Sequence, residues 1–186
     1  MGVFSWQLDE DRHLRLLEEV DAAPLYQTIV ENRESLSVWM PWAAGDTYES
    51  ALTFIRSSRQ QFAANLGFQA AIVERDVIVG VIGFSRVDWQ HRQASIGYWI
   101  ARGSQGRGTI TLAARALLDH AFAVWQLNRV EIRAGTQNLR SRRVAERLGL
   151  TQEGVLREAE RVGDRYVDHV VYAMLARDWP AARPTS

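Results

Sequence analysis

A chain of 186 residues, 47% hydrophobic and 24% charged, is long enough to bury one sizeable core and has the make-up of an ordinary globular protein. Its 22 basic residues balance its 22 acidic ones, which argues against a nucleic-acid partner held by a broad field. The basic residues are arginines and several cluster, so a local anion site stays open.

The lack of cysteine excludes disulfides, thiolate catalysis and cysteine–zinc sites, and no metal is expected. Residues Met1 to Trp6 carry no basic region followed by an apolar stretch, and Trp6 stands where a myristoylation motif needs Ser or Thr. No apolar run reaches transmembrane length, so the chain reads as soluble and cytoplasmic, with no membrane partner.

From the N-terminus, Asp21 to Asn32 reads as a helix, with Ala22, Leu25, Tyr26 and Ile29 at helical spacing. Leu36 to Trp42 follows, with Trp39 and Trp42 around Met40-Pro41. A second helix spans about Thr47 to Asn65. Thr47 and Ser50 offer caps, and Ala51, Phe54, Ile55, Ser58 and Phe62 share a face. Phe68 to Val73 and Val77 to Phe84 are β-rich runs separated by Glu74-Arg75-Asp76, the spacing of a hairpin. The second run is apolar on both faces, as in a central strand covered on both sides.

Ser95 to Ile100 is a further strand. It leads through a glycine-bearing turn to a helix from about Thr109 to Trp125, with Leu112, Ala113, Ala116, Leu117, Ala121 and Val124 in helical period. Arg129 to Ala134 alternates as a strand. Asn138 to Leu148 is a helix that Asn138 can cap and Gly149-Leu150 can stop. Leu150 to Ala159 and Tyr166 to Arg177 close the chain as a strand pair. The order ααβββαβαββ predicts an α/β (α+β) fold with a mixed sheet and helices on both faces. No repeat or linker divides the chain, so residues 1–180 are expected to form one domain and 181–186 a frayed tail.

The stretch from Ser95 to Thr111 carries the chemistry. A strand runs into a loop, Gln105-Gly106-Arg107-Gly108, that opens a helix at Thr109. The first amides of a helix lack internal partners and carry the positive end of its dipole, which suits phosphate. Gly106 and Gly108 permit positive φ and close approach of a ligand, and Arg107 adds a charge. A plain turn would also use glycine, but the strand–loop–helix setting favours the anion site. A P-loop needs Gly-Lys-Ser/Thr, which is absent, and Thr111 breaks a dinucleotide fingerprint.

Gln105-Gly106-Arg107-Gly108-Thr109-Ile110 resembles the pyrophosphate loop, Gln/Arg-x-x-Gly-x-Gly/Ala, of the Gcn5-related N-acetyltransferases (GNAT), with Ile110 departing from the final small residue. The RimJ/RimL type, which acetylates ribosomal-protein N-termini, tolerates a larger residue there, and the resemblance to it covers almost the whole chain. It rests on Asn32-Arg33-Glu34-Ser35-Leu36 leading to Trp39-Met40-Pro41-Trp42, on Ile96 to Ile100, on Asn138-Leu139-Arg140-Ser141 with Val144 to Gly149, on Glu153 to Arg157, and on Tyr166-Val167-Asp168 with Tyr172.

The resemblance implies a GNAT fold with a mostly antiparallel sheet splayed into an acetyl-CoA cleft, and acetyl transfer to a primary amine. The backbone around Tyr98, Trp99 and Ile100 would bind pantetheine and the thioester oxygen. Gln105 to Ile110 would hold the pyrophosphate, and Asn138 the cofactor arm. Many members carry a tyrosine as general acid where this chain has Ala145. The RimL type places a serine instead, here Ser141, which otherwise only supports the cap at Asn138. Glu160 aligns with the RimL carboxylate proposed as base, although on its own it reads as part of a solvated charge run, Arg157 to Arg161.

Trp39 and Trp42 either cover the core or border the acceptor cleft. Asp168 and Tyr172 either brace the closing strands or line that cleft. The implied acceptor is a protein α-amino group, ribosomal in type, and a homodimer is expected. The rival readings are acetylation of a small amine (polyamine, amino acid or aminoglycoside) and a catalytically silent acyl-CoA-binding module. The silent module is raised by Ala145 and by Ser95, which replaces an acid common on that strand.

Overall fold

The computed structural model describes residues 5–180, so the tail expected at 181–186 and the chain start at 1–4 lie outside the described residues. Among the described residues, eight strands form one sheet in the order β1-β2-β3-β4-β5-β6-β8-β7. They are β1 (Ser5–Gln7), β2 (Arg12–Leu16), β3 (Gln69–Glu74), β4 (Val77–Asp88), β5 (Gln93–Ile100), β6 (Arg129–Gly135), β7 (Thr151–Val162) and β8 (Arg165–Leu175). The α-helices are α1 (Ala22–Ser37), α2 (Tyr48–Ala63), α3 (Thr109–Asp119) and α4 (Leu139–Arg147). Every strand pair is antiparallel except β5 with β6, which α3 joins as a crossover. No helix among the described residues is long and apolar enough to cross a membrane.

The apolar run in β4 is central as expected, with Ile78 to Phe84 buried. Its alternating side chains feed two cores on opposite faces. Ile82 and Phe84 join Ile72, Leu117, Leu118 and Ala145 under α3 and α4, while Val81 joins Ala71, Leu25, Ile29 and Ile55 under α1 and α2. The β3–β4 hairpin turns on Arg75 and Asp76, both at positive φ (48° and 66°), the geometry of a two-residue primed turn.

The N-terminal hairpin β1–β2 was not expected. β2 reads Arg-His-Leu-Arg-Leu, and only Leu14 is fully buried, so its hydropathy hardly alternates. Helix α1 also runs five residues past Asn32, because Leu36 adds another buried turn. Asp21 precedes α1 without capping it. Its buried carboxylate takes both nitrogens of Arg15, at 2.6 and 2.8 Å, together with the Glu18 amide at 2.8 Å. On α2, Thr47 accepts the Ser50 amide as expected. Phe54 and Phe62, assigned to its buried face, remain 39% and 42% exposed, and Phe54 fronts a cavity. The expected long helix from Thr109 widens into a π-helical turn over His120–Val124. At the end of α4, Gly149 (φ 77°) and Leu150 donate to Glu146 and Ala145, a Schellman stop.

Candidate active site

Past Ile96 and Ile132 the parallel ladder of β5 with β6 ends. β5 continues along β4 to Ile100, whereas β6 continues along β8 to Gly135. The two strands part in the middle of the sheet. Ala101 donates its amide to Val79 at 2.7 Å, so by strand alternation the amides of Tyr98 and Ile100 face the other way, into the gap.

The loop after β5 lies at one end of this gap. Gly106 and Gly108 have φ of 79° and 76°, and a Cβ built on either would meet nothing within 4 Å. Gly108 is the N-cap of α3, so the helix presents bare amides to open space. Thr109 is buried and accepts from Arg12 Nη1 at 2.7 Å. The same guanidinium reaches the Arg107 carbonyl at 3.2 Å, which ties β2 to the loop.

Ile110, the second residue of α3, buries its side chain in the core, which is why a large residue is tolerated at a motif position usually small. Gln105 spans the loop, accepting from Arg140 and donating to the Ile100 carbonyl at 3.3 Å. Arg107 does not point freely at the glycines. Its guanidinium is paired with Glu74 at 2.7 Å and donates to the Gly103 carbonyl at 2.9 Å.

A cavity of about 520 Å³ fills the gap and is walled on one side by residues of α1 and α2. It gathers residues expected to work together from distant parts of the chain: Tyr98, Trp99, Asn138, Ser141, Glu160, Trp39 and Trp42. Asn138 Oδ1 accepts the Ser141 amide at 3.2 Å, so the cap of α4 also fixes Ser141 at the cavity wall. Tyr98 Oη lies 2.9 Å from Ser141 Oγ and 3.2 Å from the Ser141 carbonyl. Burial pushes the Tyr98 phenol up to about 12, so it stays protonated at working pH and can hand a hydrogen bond to Ser141.

The Trp42 ring tilts against Trp99 at 6.0 Å, while Trp39 packs against Gly135 with the Arg165 guanidinium 5.6 Å above it. A Cβ at Gly135 would come within 3.1 Å of Trp39, so glycine here makes room for the ring.

Two acidic side chains face the cavity. Glu160 Oε2 lies 3.1 Å from His169 Nε2, and both line the wall. Asp46 has Oδ2 buried without a hydrogen-bond partner, because Arg33 donates to the carbonyls of Ala44 and Asp46 instead of the carboxylate. Burial pushes the Asp46 carboxyl above its usual range, and Arg33 offsets part of that.

Asp168 and Tyr172 lie outside the cavity lining. Asp168 Oδ1 holds the Glu158 amide at 2.8 Å. Tyr172 is 1% exposed, takes a bond from Arg142 at 2.9 Å and gives one to Glu146 at 3.0 Å. Both brace the closing strands, one of the two places the sequence left open for them. Sequence reasoning missed His169, Asp46 and the Arg12 brace. Of these, only His169 carried a signal, since alternation along β8 puts it on the same face as Val167.

Residues 12–151 match the family model described as an acetyltransferase (GNAT) domain. The chain is 37% identical over 181 residues to the Bacillus subtilis (strain 168) protein YdaF, covering 95% of this chain and 98% of that one. It is 30% identical over 174 residues to the ribosomal-protein-serine acetyltransferase of Escherichia coli (strain K12), covering 91% and 95%. Among solved structures, the microcin C7 self-immunity acetyltransferase MccE, in complex with acetyl-CoA and AMP, superposes with a TM-score of 0.87 at 27% identity, over 90% of this chain and 94% of that one.

Proposed function

The chain belongs to the GNAT acetyltransferase family, and from that premise we propose that it transfers acetyl from acetyl-CoA to the α-amino group of a protein, a ribosomal protein in the first place. The observation that supports this most is the parting of β5 from β6, with an α-helix N-terminus at one end and a side-chain-lined cavity at the other. The open space over Gly106 and Gly108 fits a pyrophosphate, and the amides of Tyr98 and Ile100 fit a pantetheine arm and a thioester oxygen.

Bound acetyl-CoA supplies the activated acetyl group. Amides aimed at an oxygen that gains charge typically contribute about 3–4 kcal/mol each. Ser141, held by Asn138 and backed by Tyr98, donates its hydroxyl proton toward the departing sulfur and can be resupplied through the phenol. Ala145 therefore does not leave the site without a hydroxyl donor. The Glu160 end of the cavity receives protons from the amine. Trp39 and Trp42 form the apolar approach to it.

An α-amine titrates near ~7.7–8.0, against ~10.4 for a lysine, so a protein N-terminus offers far more neutral nucleophile at neutral pH. Incubation with acetyl-CoA and peptides matching ribosomal-protein N-termini should give one acetyl mass shift at the α-amine. If peptides stay unmodified while a polyamine, amino acid or aminoglycoside is acetylated, the acceptor is a small amine. If CoA binds but no thiol is released with any amine, the chain is a silent binding module.

A further inference from the structure

Glu160 and His169 meet because β7 is broken just before Glu160. The β7–β8 register slips between Leu156 and Glu160, and Glu158 sits at φ 51° in the slipped segment. Asp168 holds that segment from the neighbouring strand by accepting the Glu158 amide, while its own carbonyl accepts the Thr136 amide at 2.8 Å. Such bulges re-aim side chains beside functional sites. Here Glu160 comes to lie opposite Val167, one diagonal step from His169, with Oε2 3.1 Å from the ring. The His169 side chain is 18% exposed and that of Glu160 40%, so the ring is the more sheltered of the two.

We infer that His169, oriented by Glu160, is the group that takes the proton from the acceptor ammonium, with Glu160 as its positioning residue. This rests on the acetyl-transfer reading above. A carboxylate only accepts, so the neutral ring gives its Nε2–H to Glu160 and keeps its lone pair at Nδ1. Among the described residues, no other group bonds the ring.

The reacting amine sheds two protons overall. The first passes from the ammonium to Nδ1, leaving a neutral amine and an imidazolium whose charge the Glu160 carboxylate balances, and then leaves to solvent. The second passes to solvent as the C–N bond forms and the C–S bond breaks, while the sulfur gains a proton from Ser141 that solvent replaces through the Tyr98 phenol, so one proton is released overall. As a class, an imidazole (~6.5) lies nearer an α-ammonium (~7.7–8.0) than a carboxylate (~4.3) does, which makes it the better-matched proton acceptor. The positions paired with His169 across the sheet, Gly135 and Leu156, are uncharged. The remaining charged groups on the cavity wall are Arg133, turned to Glu131 at 2.5 Å, and Asp46 ahead of α2.

The test is steady-state acetylation of a peptide α-amine by the wild-type chain, His169→Gln, Glu160→Gln, the double variant, and His169→Ala with and without added imidazole. At about pH 6.5, where most α-amine is protonated, His169→Gln should lower kcat by about 10²-fold with the KM for acetyl-CoA unchanged. The deficit should shrink as pH rises past ~8, because the amine then arrives neutral. Imidazole should restore part of the His169→Ala rate. Glu160→Gln should cost less than His169→Gln, and the double variant no more than His169→Gln alone, because the pair acts as a unit.

Wild-type kcat in His169→Gln across the pH range overturns the inference. So does a pH-independent loss without imidazole rescue, or Glu160→Gln costing more than His169→Gln. Failure of the wild-type chain to acetylate any α-amine overturns the acceptor reading itself, a result distinct from a dispensable His169.

Discussion

At the Gly106–Gly108 end of the cleft the groups that face open space are backbone amides, set by two residues at positive φ and one helix start within a single short stretch. At the other end they are side chains: tryptophans from the turn after α1, a serine from α4, and a glutamate and a histidine from the last two strands. Backbone can be aimed by local conformation alone. Side chains from four places can be aimed only by the packing of the whole domain. On the proposed reading, the first construction would keep a common cofactor in place whatever the rest of the molecule does. The second lets acceptor preference change by substitution without disturbing it.

The comparison breaks most sharply at Gly108. Valine there puts a β-branched residue at φ 76° and its side chain into the open space over the loop. Strain at such a position costs about 1–3 kcal/mol, and exclusion of the phosphate adds to it. CoA binding by calorimetry should weaken by roughly 10²-fold, while circular dichroism still shows a folded chain. Undiminished affinity in a folded Gly108→Val protein would remove the loop from the site.

At the side-chain end, Ser141→Ala should lower kcat by about 10- to 100-fold at constant acetyl-CoA KM, toward the low side of general acid–base effects because a CoA thiol is already a fair leaving group. Tyr98→Phe removes the bond behind Ser141 and should cost about 3- to 10-fold, as expected for one hydrogen bond of 0.5–1.5 kcal/mol. A larger loss in Tyr98→Phe than in Ser141→Ala would mean that the phenol, not the serine, meets the sulfur.

A smaller effect is expected at Arg107. The guanidinium of its pair with Glu74 is 58% exposed but the carboxylate only 14%, so moving the charge onto a pyrophosphate leaves a sheltered carboxylate without its partner and is a modest net gain. Arg107→Ala should raise the acetyl-CoA KM several-fold and leave kcat nearly unchanged. A loss confined to kcat would contradict a binding role.

The smallest effect concerns Asp46. Its folded pKa lies above its unfolded value, so the fold prefers the protonated carboxyl and is penalised once pH rises through that window. Asp46→Asn should therefore melt slightly higher than wild type at neutral pH, with the margin vanishing below about pH 3.9, the unfolded reference value. A margin that persists in acid would assign the gain to packing instead.

The backbone end was legible in the sequence for the reason just given: strand, glycines and helix start are contiguous, so Ser95 to Thr111 could be read without knowing the fold. Central β4 was legible from its unbroken apolar run, and the α4 terminus from Gly149-Leu150. β2 was not, because only Leu14 is fully buried there and Arg12 is turned to Asp9 and to the loop. Glu160 looked like one charge in a run of charges. Only the slipped register of β7 shows why it differs from Glu158 two residues earlier. Asp168 and Tyr172 were found as residues that matter and are braces: one holds the bulge, the other ties α4 to β8 through Arg142 and Glu146.

The early end of the β5–β6 ladder has a mechanical consequence. Among the described residues, Gln93/Arg129 to Ile96/Ile132 is all the strand pairing that joins β1–β5 to β6–β8, so the sheet has a seam, and the seam runs into the gap between β5 and β6. A molecule lying in that gap with contacts on both lips acts as a rivet. Ligand-induced stabilisation follows RT ln(1 + [L]/Kd), about 2.7 kcal/mol at a hundredfold excess over Kd. That increment should fall unevenly. Amide exchange in β6 and β8 should slow on addition of CoA, although the pyrophosphate loop belongs to the other half, while the β1–β2 edge keeps its own rate.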